Sequence, residues 1–200
     1  MKAKTVLVFS LCVSALFIDC AAKIKRNFLN EPYRAKTISV ALSIAGIEVV
    51  DGRSSLDTET LWIPSFTFKK VGDTVIPPLT SAQEAVIKDE IAHYAKGSGP
   101  EVKVKATIKE GTKQYSMGFF NSRECAKAAM TVELLDSVHT PYLFSTTGEA
   151  YYEVKSTKAD TLFLEKLYRK ALKTCVYKAF ESIQEFLEKQ PPSAGKTGGL

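Results

Sequence analysis

The residues predict an α+β domain: a single antiparallel sheet of about four strands with two helices packed on one face. Three observations carry that prediction. Period-two alternation of apolar and polar residues recurs in four separate stretches, a short capped apolar stripe interrupts them, and a long amphipathic stripe closes the chain. At 200 residues, 45% hydrophobic and 24% charged, the composition is that of one globular domain and not of a rod, a collagen or a disordered chain.

Residues 1–22 have the three parts of an export signal. Lys2 and Lys4 give a basic start, and Thr5 to Ile18 is an uncharged run of 14 residues. That run falls short of the about 20 residues that span a bilayer. Cys20 and Ala22 then place small side chains ahead of a cleavage point before Lys23. A second processing route ends the signal at residue 19 and makes Cys20 the acylated first residue of a lipoprotein. Asp19, neither small nor neutral, fits that route poorly. Acylation at Cys20 would attach the protein stably to a membrane. Both routes export the chain, to a bacterial periplasm or to the outer membrane. Removing residues 1–22 takes away Lys2, Lys4 and Asp19 and lowers the formal charge from +5 to +4. So small and interspersed a charge argues against a nucleic-acid partner.

Residues 23–36 read as a polar leader, and the folded domain as 37–189. Within Thr37 to Val50, Ile38, Val40, Leu42 and Ile44 alternate with Ser39 and Ser43, the period of a strand. Asp51 to Ser55 is a turn, and 56–79 an aromatic connection closed by Pro77 and Pro78. Ser81 and Glu84 have capping-box spacing, opening a helix with Ile87, Ile91 and Tyr94 on one face and Gly97 to Pro100 at its end. Val102, Val104, Ala106 and Ile108 then alternate with Lys103, Lys105, Thr107 and Lys109. The same alternation recurs over 124–135 (Ala128, Met130, Val132, Leu134) and 142–155 (Ala150, Tyr152, Val154). One apolar and one polar face per strand is the signature of a sheet covered on one side. From Asp160 to Lys189, Leu164, Leu167, Ala171, Cys175, Ala179, Ile183 and Phe186 form a helical core stripe. Pro191 and Pro192 stop it, and 190–200 is a flexible tail.

The familiar catalytic spacings are missing: no Gly-x-Ser-x-Gly, phosphate loop, His-Glu-x-x-His or Cys-x-x-Cys. No metal or cofactor site is expected. His93 falls near a helix face, His139 in a turn, and Asp136 and Glu149 flank that same turn. A small hydrolase using His93 or His139 is the least favoured reading. After signal cleavage the remaining cysteines are Cys125 and Cys175. In an oxidising compartment they are expected to bridge, the alternative being two buried thiols.

What remains is aromatic content outside the regular elements: Trp62, Phe66 and Phe68 in one connection, Tyr115, Met117, Phe119 and Phe120 in another. Such side chains are enriched at protein contacts. Trp62, Phe66, Phe68, Phe119 and Phe120 are the candidate contact surface. The leading expectation is a non-enzymatic exported binding or assembly module whose partners are other envelope proteins. The alternative is a periplasmic carrier of lipid or another apolar small molecule.

Over roughly 80–188 the pattern resembles a known class. An export signal, one α+β domain, a strand reading Ala-Met-Thr-Val-Glu-Leu-Leu-Asp, a following Thr147-Gly148-Glu149-Ala150 and a final long helix are similar to small Gram-negative envelope lipoproteins. The YajG-type proteins and the auxiliary lipoproteins of ABC transport systems are the nearest kinds. The resemblance implies a protein that docks onto other envelope components and performs no chemistry, and it carries over no functional residue.

Overall fold

A computed structural model describes residues 26–29, 37–58, 61–64, 67–95, 99–119, 121–136 and 142–189. The export signal with Cys20, the tail 190–200, Phe66, Phe120 and His139 lie outside them. The strands are Arg26–Phe28 (β1), Ser43–Asp51 (β2), Val71–Val75 (β3), Glu101–Met117 (β4), Ser122–Asp136 (β5) and Tyr142–Ser156 (β6). The helices are Ser81–Tyr94 (α1) and Thr161–Lys189 (α2).

Alternation sets the inward face. Val102, Val104, Ala106 and Ile108 of β4, Ala126, Ala128, Met130, Val132 and Leu134 of β5, and Ala150, Tyr152 and Val154 of β6 are all buried. They meet one face of α2, where Leu164, Leu167, Tyr168, Ala171, Leu172, Cys175, Val176, Ala179, Phe180 and Ile183 are buried in turn. From α1, Ile87, Ile91 and Tyr94 join the same core. Two helices on one face is therefore the architecture.

The sheet is larger than expected and mixed. Its strands run in the order β1-β6-β5-β4-β2, with β3 also paired to β4. β2 pairs parallel to the first half of β4, Ser43 with Glu101 through Asp51 with Ile108. β3 pairs antiparallel to the second half of the same edge, Val75 with Lys113 through Val71 with Met117. The reason is steric. Parallel neighbours need a crossover, which α1 supplies, and β4 is long enough to hold two partners end to end. The polar segment Val-Gly-Asp-Thr-Val of β3 has no alternation that would announce it.

Three local expectations change. The leader is not wholly outside the fold, because Arg26–Phe28 pairs with Val154–Ser156 as an edge strand. The cap of α1 sits one residue earlier: Thr80 Oγ1 accepts from Gln83 N, and Thr80 N donates to Gln83 Oε1, both at 3.2 Å. Tyr115 and Met117 are buried strand residues and not part of an aromatic loop. A bulge explains the last. The β4–β5 register steps from Ile108–Met130 to Glu110–Ala129, so the inward set passes from even-numbered residues to Gly111, Tyr115 and Met117.

Candidate functional site

The registers place Arg26, Ser156, Ser122, Met117 and Val71 in one row across the sheet. At that end Phe68 precedes β3 and Phe119 follows β4. Their rings stack at 5.9 Å between centroids, 24° apart. Trp62 lies on the helix side of the same end, where its carbonyl accepts from the Tyr115 hydroxyl at 3.0 Å. Leu162 opens α2 there, beside Asp160, which pairs with Arg26 at 3.0 Å. Phe68, Leu162, Trp62 and Phe119 are 81%, 75%, 74% and 50% exposed, the highest values among the large apolar side chains described. Folding therefore brings together three of the five expected contact residues and adds Leu162.

Beneath this surface the end is held by a buried polar network. Glu124 is fully buried, with Oε2 accepting from the Ser156 hydroxyl at 2.9 Å and Oε1 from Asp160 N at 2.8 Å. Ser122 and Ser156 share a hydroxyl contact at 2.8 Å. Burial raises the Glu124 carboxyl above its ordinary range, the two hydrogen bonds opposing that shift only in part. Asp160 Oδ1 in turn accepts from Leu162 N, an N-cap for α2. Strand parity is the signal for Glu124, which shares the inward set of Ala126 and Ala128.

A second feature is a cleft of about 510 Å³ between the N-terminal turns of the two helices and the β2–β3 connection. Leu61, Val75, Pro77, Pro78 and Leu164 form its apolar wall. Glu165 stands at its polar side, bonded by Lys113 Nζ at 2.7 Å, Gln83 Nε2 at 3.0 Å and Arg169 Nε at 3.3 Å. Burial pushes its carboxyl upward, but these donors outweigh it and hold the group below its usual value. Near the bulge, Arg53 makes a bidentate pair with Asp51 at 2.6 and 2.7 Å and donates to Gly111 O at 3.2 Å. This pair ties the end of β2 to β4.

The cysteines do not bridge. Cys125 faces outward from β5, where the Tyr151 hydroxyl donates to its sulfur at 3.6 Å. Cys175 is buried on α2 against the opposite face, its thiol donating to Ala128 O at 3.2 Å. The sheet stands between them, so the expected disulfide is corrected to two free thiols. Burial pushes Cys175 up to about 12 and raises Cys125 as well.

His93 is exposed on α1, its ring edge-on to Tyr94 at 5.3 Å. Glu149 pairs with Ala129, seven residues along β5 from Asp136, so those two carboxylates are not neighbours. Among the described residues, no three His, Cys, Asp or Glu side chains gather to hold a metal, and no helix is long and apolar enough to cross a membrane.

No family model matches the chain, and no curated protein matches its sequence. The solved structures to which the chain is similar include two bacterial proteins. One is a Xanthomonas campestris protein of family DUF330, 11% identical, covering 77% of this chain and 91% of its own at a TM-score of 0.42. The other, from Caulobacter crescentus, carries a provisional lipoprotein label. It is 16% identical and covers 55% of this chain and 84% of its own at a TM-score of 0.32. Likeness at these values transfers no activity.

Proposed function

We propose that the chain is an exported, non-catalytic module that docks onto other components of a bacterial cell envelope through its aromatic end. The observation that supports this reading is the gathering of Trp62, Phe68, Phe119 and Leu162 at one end, outside the core. Large apolar side chains left in water together are costly unless something covers them, and such patches mark contact sites. The export signal supplies the compartment, with Cys20 as the alternative point of membrane attachment.

A photoreactive phenylalanine analogue at Phe119, expressed in the native host, is expected to form an adduct with another envelope component. The same analogue at Thr131, mid-strand on the outer face, is expected to form none. No adduct from position 119, 68 or 62 would overturn the reading.

A second reading is favoured by the cleft between the helix N-termini: carriage of a small, largely apolar molecule. Its volume of about 510 Å³ suits such a ligand, which the Leu61, Val75 and Leu164 wall would cover. A co-purified ligand in native mass spectrometry, lost on replacing Leu164 by Gln, would establish it.

A further inference from the structure

We infer that the aromatic end faces an anionic lipid surface, so that the bilayer is what covers Trp62, Phe68, Phe119 and Leu162. This rests on the contact-module reading above and names the occupant of that surface.

Three independent features of the end point to lipid. The first is where the chain enters the fold. Arg26 lies in the same transverse row as Val71 and Met117, at the same end of the sheet as the turns that carry Phe68 and Phe119 and about 19 Å across it from Val71. Only five residues separate Arg26 from Cys20, and the six steps between them reach at most about 20 Å. An acyl group on Cys20, or an uncleaved apolar run before it, would hold this end of the domain at the membrane and turn the opposite end away.

The second feature is the kind of side chain. Trp and Phe at a tip, flanked by lysines, match the interfacial zone of a bilayer, where amphipathic rings sit at headgroup level. Lys69 and Lys70 directly follow Phe68 and are exposed, and Lys155 and Lys158 are exposed at the same end. The third is charge balance. Of the acidic groups nearby, Asp160 pairs with Arg26, Glu153 with Arg123, and Glu124 is buried. Asp73 is the exposed acid on β3. Four lysines against it favour an anionic headgroup layer.

The chain reports on its own docking, because Trp62 is its single tryptophan and sits in the surface. The test uses the exported chain beginning at Lys23, without an acyl group, mixed with vesicles of phosphatidylethanolamine and phosphatidylglycerol. Trp62 emission is expected to shift to the blue, and less so with phosphatidylcholine alone. Phe68→Ser with Phe119→Ser should weaken partitioning by about tenfold or more. Lys69→Glu with Lys70→Glu should weaken binding to the anionic vesicles and leave phosphatidylcholine binding unchanged. Thermal midpoints close to the parent chain would show that both variants fold.

An emission spectrum indifferent to vesicles, or a blue shift that survives both double replacements, overturns the inference. A protein adduct at position 119 combined with no vesicle binding overturns the lipid assignment and leaves the contact-module reading standing. Neither adducts nor vesicle binding removes both.

Discussion

Glu124 has a fully buried carboxyl that sets a pH dependence for the whole domain. Burial disfavours its charge, so the folded state holds the proton more tightly than the unfolded chain does. Its contribution to stability is therefore present at low pH and declines as pH rises from the ordinary 4.5 through the raised value. Glu165 acts in the opposite sense. Lys113, Gln83 and Arg169 hold it below its ordinary value, so its contribution is lost as pH falls below the usual carboxylate range. Glu124→Gln stays neutral throughout and is expected to abolish the decline on the alkaline side. Thermal midpoints measured between about pH 4 and 8 check this, since a slope retained in the variant would place its origin elsewhere. Only Glu124's position in the alternating set hints at this role, because its partners Ser156 and Asp160 are brought to it by β6 and α2.

At the scale of elements, β6 and α2 come into close backbone approach at Gly148. A methyl group there would run into the Cys175 carbonyl of the helix backbone, whereas one at Gly46 of β2 would meet open space. Gly148→Ala is expected to cost about 2 kcal/mol by pushing α2 from the sheet. Gly46→Ala should stay within about 0.5 kcal/mol. Chemical denaturation of the two variants compares them directly, and equal effects would show that α2 yields at no cost. The elements differ in how far they were legible. The stripe of α2 and the alternation of β5 and β6 were readable because burial on one face imposes a period. The parallel pairing of β2, the strand β3 and the bulge after Ile108 were not. β3 pairs through its backbone with side chains largely in water, and a bulge is a one-residue slip that shows only against its partner strand.

For the molecule as a whole, the six-stranded sheet acts as a partition. It places Cys175 in the core and Cys125 on the uncovered face, and it separates two residues that an oxidising compartment would otherwise invite to pair. The mass of a chain beginning at Lys23 is therefore expected to be unchanged by reductant, and when denatured it should show both thiols to an alkylating reagent. With the fold intact, Cys175 should resist that reagent, being buried and a poor thiolate former with its pKa pushed up to about 12. A reductant-dependent mass would require a different packing of α2.

By themselves, the residues determined the α+β class, the two helices, and which side of β4, β5 and β6 faces the core. Those features depend on local composition and on periods of two and 3.6, which the chain order carries directly. Tertiary structure alone decided the sheet's order and mixed pairing, the separation of the cysteines, and the gathering of Trp62, Phe68, Phe119 and Leu162 with the chain entry at Arg26. These unite residues as far apart as Arg26 and Leu162, and such neighbours are set by which strand edge remains open once the long-range pairs have formed.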